Sequence, residues 1–268
     1  MKSQSLKQAL AAGTTPQYGI FCSIASYHTV EAVAGAGFAF VILDGEHTPV
    51  DLPLVHTQLM AVAAANNAAR SNATTSATTN TAAIVRVHSN DAVAIKHVLD
   101  LGPDGIMIPM IDTPEQARAA VRHTRYPPAG SRGMAGLTRA THYSRDKSYA
   151  ANAPDRFCLV LQIETPQGLA NVEEICAVEG VDALFFGPSD YSANSGRLGQ
   201  PTHPDVMSEL EEGIRRVRRA GCAAGILCRE ADVPRFVAAG ANLVAAGLDL
   251  ALLVSGADGL ASRLKHRG

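Results

Sequence analysis

Four stretches of the chain set acidic, basic and imidazole side chains directly behind apolar runs. They are VILDGEHTP (41–49) with Asp44, Glu46 and His47, AAIVRV (82–87) with Arg86, LVLQIE (159–164) with Gln162 and Glu164, and FFGPSD (185–190) with Ser189 and Asp190. Glu164 and Asp190, with only oxygen donors nearby, make a hard and open site that suits Mg or Mn with several waters retained, and suits zinc less well. Arg86 facing such an ion supplies a second anchor for a 2-oxo acid, on the oxygen that gains charge as an enolate forms. His47 is then the base or proton relay. Lysine chemistry has no comparable footing. The five lysines, Lys2, Lys7, Lys96, Lys147 and Lys265, all lie away from the C-terminal ends of the apolar runs, so a Schiff base lacks its nucleophile in the expected place.

These residues meet only if the chain folds so that the ends of its apolar runs share one rim. Runs rich in Val, Ile, Leu and Phe recur at 18–23, 38–44, 82–87, 104–110, 157–164, 181–187, 222–228 and 241–247, and segments with helical spacing lie between most of them. Many of those helical segments end in Gly just before the next run. Continuous rather than alternating apolar strands indicate a parallel sheet covered on both faces. Eight β/α units over roughly 250 residues is the arithmetic of a (β/α)8 TIM barrel, in one domain spanning 1–268. An open doubly wound sheet is the runner-up. A dinucleotide-binding form of it lacks the G-x-G-x-x-G after the first strand.

In a barrel of this kind chemistry sits at the C-terminal ends of the strands, which gives each polar end residue weight against a blander reading. A lone loop histidine is more often solvated than catalytic. Arg86 inside a strand calls for an anionic partner, either a structural carboxylate or a substrate. Gln162 and Glu164 share a period-2 phase and point to the same side; outward they would face apolar helices, inward the barrel mouth. Asp190, beside Gly and Pro, could merely cap a turn.

Composition excludes several classes. The 268 residues are 47% hydrophobic and 18% charged with a formal net charge of −2, so there is no basic surface for nucleic acid and no like-charged block for a membrane. Small molecules or copies of the same chain are the expected partners. The five cysteines are odd in number and include no C-x-x-C pair, which fits a reduced compartment. The first residues lack an apolar core and no run reaches membrane-spanning length, so the expected location is cytoplasmic.

Two segments interrupt the pattern. Residues 63–83, AAANNAARSNATTSATTNTAA, have a low-complexity composition that cannot anchor a core and are expected to form a surface insertion without a catalytic role. Residues 126–156, rich in Pro, Gly and Arg, form a connection long enough to serve as a lid or a subunit contact.

The segments VILDGEHTPVDL, IVRVHSNDAVAIKHVLDLG, TRYPPAGSRG, LVLQIETPQGLANVEEI and EGVDALFFGPSDYSANSGRLGQPTHPDV resemble, in that order, the signature segments of the HpcH/HpaI family of metal-dependent class II pyruvate aldolases. The likeness runs from about residue 18 to about residue 262. It implies a barrel whose final helix swaps between subunits of a homo-oligomer (hexamer or trimer), and a lyase that makes or uses a pyruvate enolate against an aldehyde. By the same resemblance Glu164 and Asp190 hold a divalent metal ion (Mg, Mn or Co), while Gln162, Asp190 and the backbone N–H of Ser189 bind the 2-oxo acid. Arg86 stabilises the enolate, His47 accepts the proton, and Asp100 raises the basicity of that histidine, within the chain or from a neighbouring subunit. Asp44 and Arg132 match polar positions around the site. Oxaloacetate decarboxylation, or annulation of the macrophomate synthase kind, would use the same enolate site. The Glu46–His47 pair argues against a CoA-ester lyase.

Overall fold

Helix α1 (Leu6–Ala12) closes one end of the chain's barrel, which then builds by alternating each strand with one or two helices. Its first half runs β1 (Gln17–Cys22), α2 (Tyr27–Ala34), β2 (Phe40–Asp44), α3 (Leu52–Ser71), β3 (Ala82–Arg86), α4 (Ala92–Asp100), β4 (Gly105–Ile108) and α5 (Pro114–Thr124). After the short α6 (Tyr149–Asn152) come β5 (Cys158–Ile163), α7 (Pro166–Ala170), α8 (Val172–Cys176), β6 (Ala183–Phe186), α9 (Pro188–Asn194) and α10 (Pro204–Arg219). The last elements are β7 (Ala223–Leu227), α11 (Val233–Ala238), β8 (Leu243–Leu248) and α12 (Asp249–Lys265). The computed structural model describes residues 4–71 and 80–265. All eight strands pair in parallel in sequence order and β8 pairs back to β1, so the sheet is a closed (β/α)8 barrel. The open-sheet alternative is thereby excluded.

The period-2 alternation of the strands divides the core in two. One set of side chains, including Ile20, Val41, Leu43, Val85, Ile106, Leu161 and Leu184, packs outward against the helices. The other set, including Phe21, Phe40, Ile42, Ile84, Met107, Val160, Phe185 and Leu243, fills the barrel interior. Following the inward phase to the C-terminal end of each strand changes its chemistry: Phe40 and Ile42 lead to Asp44, Ala82 and Ile84 to Arg86, and Cys158 and Val160 to Gln162 and then Glu164. The barrel is therefore an apolar plug with a polar layer at one mouth.

Residues 63–71 depart from the expected surface excursion. They continue α3 to Ser71, because a run of alanines has high helix propensity even where it offers little bulk to a core. The stretch is also anchored. The buried side chain of Asn66 donates to the Thr81 carbonyl and accepts from the Thr81 N–H, both at 2.9 Å, and Ala82 and Ala83 are buried residues of β3. Residues 72–79 of the low-complexity stretch lie outside the described residues.

The 126–156 segment is not draped over the strand ends of its own barrel. It packs at the opposite end, where Ala140 N–H donates to the Asp100 carbonyl (3.1 Å) and the Arg139 guanidinium holds the Leu101 carbonyl. The close of α4 and the start of β4 both lie there.

Candidate active site

Register places the first charged pair of the mouth. Asp44 and Arg86 end neighbouring strands and are direct partners in the β2–β3 ladder, both on the inward phase. Their side chains meet as a two-point ion pair, Arg86 Nε to Asp44 Oδ1 and Nη2 to Oδ2, each 2.9 Å. Gly45 lets the next turn close tightly, since a Cβ there would lie 2.6 Å from the Arg86 carbonyl oxygen. Asp44 then organises that turn, accepting from the backbone N–H groups of Glu46 (3.0 Å) and His47 (3.3 Å) and from the Thr48 hydroxyl (3.4 Å). Burial alone would push the Asp44 carboxyl up, but the hydrogen bonds and charge of Arg86 and the two backbone donors outweigh it and hold it below the usual carboxylate range.

Glu46 extends the network. Its Oε2 lies 3.1 Å from Arg86 Nη1, a charge contact without hydrogen-bond alignment, and 3.7 Å from His47 Nε2. Burial raises its carboxyl, with Asp44 and Asp190 adding like charge and Arg86 and His47 opposing. The guanidinium of Arg86 sits 4.9 Å from the centroid of the Phe21 ring. Three of its five N–H groups face Asp44 and Glu46, and two remain for another acceptor. The His47 side chain is 60% exposed.

Across the mouth, β5 carries Gln162 and Glu164, both buried. Glu164 Oε1 accepts from Gln162 Nε2 (3.1 Å), Oε2 accepts from the Met110 N–H (3.0 Å), and its carbonyl accepts from Asn194 Nδ2 (3.0 Å). Met110 makes its bond from a left-handed backbone, φ 56°. Gly187 packs against the same carboxylate, since a Cβ there would lie 2.5 Å from Glu164 Oε1. The GPSD turn opens α9, placing Ser189 and Asp190 in its first turn, and no backbone capping bond to Asp190 is found among the described residues.

Burial, followed by the nearby charges of Glu46 and Asp190, pushes the Glu164 carboxyl up to about 7 against the lowering effect of the Met110 N–H and Arg86. This is a surplus of negative charge at a mouth lined by oxygen donors, and the Oε1 of Gln162 is buried there without a partner. Such a donor set fits a hard divalent cation between Glu164 and Asp190. No three His, Cys, Asp or Glu side chains form a ready cage among the described residues, so Glu164 and Asp190 are the carboxylates that would hold such an ion, with oxygen ligands from water or substrate beside them.

Comparison with known proteins adds a name to this geometry. Residues 17–256 match the family model for HpcH/HpaI aldolase/citrate lyase. The chain belongs to that family. A 4-hydroxy-2-oxo-heptane-1,7-dioate aldolase of Klebsiella pneumoniae is 41% identical over 266 residues, 98% of this chain and 95% of the relative. Among solved structures, an HpcH/HpaI aldolase/citrate lyase family protein from Burkholderia cenocepacia superposes with a TM-score of 0.89 at 34% identity, covering 97% of this chain and 98% of that one. Macrophomate synthase superposes at 0.80 with 26% identity, covering 98% and 91%.

One expected member of the site lies elsewhere in the chain. Asp100 closes α4 at the end of the barrel opposite His47, paired with Arg132 at 2.8 Å, because a helix that follows a strand runs back to that strand's starting end. It does not reach His47 of its own chain. Sequence reasoning also passed over Glu46 as the bridge between Arg86 and His47, Met110 as a donor to Glu164, and Asn194. Glu46 stood in the opening motif; a methionine in left-handed conformation has no sequence signal, since side chains rarely adopt it.

Proposed function

We propose that the protein catalyses the reversible aldol cleavage of a 2-oxo-4-hydroxy acid into pyruvate and an aldehyde, through a pyruvate enolate. The observation that carries this reading is the single polar layer at the C-terminal mouth. There a buried guanidinium with two free N–H groups faces an oxygen-only carboxylate site, in a chain whose 41% identical relatives are named as aldolases.

Glu164 and Asp190 are the residues that would hold a divalent cation (Mg, Mn or Co), whose chemistry there is Lewis-acid polarisation of the 2-oxo group. The remaining roles belong to the chain itself. Gln162 keeps one amide N–H beyond its bond to Glu164, and the Ser189 backbone N–H in the first turn of α9 has no intrahelical acceptor; these two donors orient the 2-oxo acid. His47 takes the proton of the C4 hydroxyl, and Glu46 at 3.7 Å stabilises the imidazolium that results. The C3–C4 bond breaks, its electron pair moves into the enolate, and the aldehyde leaves. The free N–H groups of Arg86 hold the oxygen on which charge develops, already oriented by Asp44 and Glu46. Protonation at C3 then yields pyruvate.

Asp100 enters this scheme only from a neighbouring subunit. Support for an assembly comes from α12, whose Leu250, Leu252, Leu253, Val254, Leu260 and Leu264 are each 46–60% exposed, an apolar row that calls for cover by a second copy in a homo-oligomer (hexamer or trimer). A second reading, oxaloacetate decarboxylation, is favoured by the likeness to macrophomate synthase and uses the same enolate site.

The deciding experiment feeds pyruvate with Mg or Mn and a panel of aldehydes, succinic semialdehyde among them, and identifies products, with oxaloacetate alone and with a 2-pyrone in parallel. Aldol adducts formed faster than oxaloacetate is consumed support the aldolase. Turnover of oxaloacetate without adducts establishes the second reading, and no exchange of pyruvate methyl protons with deuterium refutes both.

A further inference from the structure

Arg132 is the largest fully buried side chain among the described residues, and its burial has an unusual form. The side chain has no exposed surface, and its only hydrogen bond among the described residues is Nη2 to Asp100 Oδ1 at 2.8 Å. Nε and Nη1 are buried without a partner. The guanidinium carbon lies 4.6 Å from the Tyr126 ring centroid and 5.8 Å from that of Tyr149, so two aromatic rings set the plane of the fork. Leaving guanidinium nitrogens unsatisfied in an interior costs stability, and an apolar side chain of equal volume would pack there more favourably. Besides the two tyrosines, the residue's ion-pair partner is a carboxylate at the surface.

That carboxylate is held through one of its two oxygens. Asp100 is 21% exposed, Oδ1 is taken by Arg132, and Oδ2 has no hydrogen bond among the described residues. Its backbone is clamped by the Ala140 N–H and by Arg139 on the following carbonyls of Leu101 and Gly102. Gly102, at φ 66°, approaches so closely that a Cβ would lie 2.9 Å from Ala140 Cα. The 126–156 segment is thus built around the end of α4 and leaves one carboxylate oxygen presented outward.

We propose that Arg132 is a positioning residue for the aldol reaction: locked between Tyr126 and Tyr149, it fixes one oxygen of Asp100 so that the other meets the His47 imidazole of a neighbouring subunit. The inference rests on the reading of Asp100 as the partner of that histidine. It assigns the 126–156 segment to support of a neighbour's base rather than to a lid.

The test uses the ratio of aldol cleavage to oxaloacetate decarboxylation, because decarboxylation removes no hydroxyl proton and does not need the base. Arg132→Met keeps the volume, and the Asp100 carboxylate, 21% exposed in the single chain, keeps the neighbour's imidazole as its partner in the assembly. The assembled enzyme, with unaltered hydrodynamic size, should show the ratio lowered about 10-fold or more, the usual effect of removing an outer partner of a functional side chain. Asp100→Asn should lower it at least as far, and the double variant no further. If Asp100→Asn lowers the ratio and Arg132→Met leaves it unchanged, or lowers both rates together, the role of Arg132 is overturned while the reading of Asp100 stands. If Asp100→Asn leaves the ratio unchanged, the reading itself fails and the inference with it. Should Arg132→Met not assemble, Arg132→Lys decides: it keeps the charge and loses the fork, so a lowered ratio supports the proposal and an unchanged one overturns it.

Discussion

Replacing Arg86 with alanine should damage the fold in a way that depends on pH, and the geometry predicts the sign. Asp44 is buried and keeps the Glu46 and His47 N–H groups and the Thr48 hydroxyl after the change, but loses the Arg86 guanidinium, its one ion-pair partner among the described residues. Stranding one partner of a buried pair costs about 3–5 kcal/mol, and the retained hydrogen bonds place this case near about 3 kcal/mol. For a chain of this size that lowers Tm by roughly 6–12 °C. In the wild type Arg86 holds the Asp44 carboxyl below its unfolded value, so the pair's contribution is present above the unfolded pKa of about 3.9 and fades as pH falls through the lower folded value. In the variant burial dominates and raises that carboxyl instead. It takes up a proton as pH falls towards about 4, and the penalty of a buried charge disappears. The deficit of Arg86→Ala against wild type should therefore be largest near about pH 7 and shrink towards about pH 4. Urea and thermal unfolding at fixed protomer concentration, followed by circular dichroism across that range, measures it. A deficit that stays constant with pH, or one below about 1 kcal/mol at neutral pH, would refute the pairing as the source of stability. Arg86→Met, which keeps bulk over Phe21, separates the packing share from the charge. Aldol cleavage and decarboxylation should both fall about 10²–10³-fold in either variant, since both pass through the enolate.

Other perturbations address the rest of the mouth. His47→Ala should slow aldol cleavage about 10²–10⁴-fold and oxaloacetate decarboxylation much less; equal losses measured side by side would remove His47 from the role of base. Gly187→Ala places a Cβ 2.5 Å from Glu164 Oε1 without backbone strain, φ being −103°. It should cost about 1–3 kcal/mol and raise the Mn concentration needed for half-maximal activity, and unchanged Mn activation would show that Glu164 is not the residue displaced. Glu164→Gln removes a buried charge whose carboxyl is pushed up to about 7, so it should unfold no lower than wild type without added cation, gain no Tm from Mn, and be inactive. A clear Mn-dependent rise in its Tm would place the cation elsewhere. Chelation of the wild type should abolish turnover, with Mg or Mn restoring it.

Much of this protein was legible in its sequence because the relevant physics is local. A strand buried on both faces reads as an unbroken apolar run, and its period of two tells which of its residues share a face without knowledge of its neighbours. The eight runs, the parallel sheet they imply and the shared phase of Gln162 and Glu164 follow from that, whereas the inward facing of Asp44, Arg86, Gln162 and Glu164 came with the closed barrel. What only the tertiary structure decided depends on distance across the fold. The β2–β3 register makes Asp44 the partner of Arg86, settling a question the strand itself left open between a structural carboxylate and a substrate. The Asn66–Thr81 bonds and the cover of neighbouring elements turn an alanine-rich stretch into helix where composition suggested a surface excursion. Asp100 belongs to the far end of the barrel because α4 reverses direction, a consequence of topology that no local motif around it carries. Side-chain type and phase are properties of a segment, whereas pairing, burial and the end of the barrel a residue reaches are properties of the closed sheet.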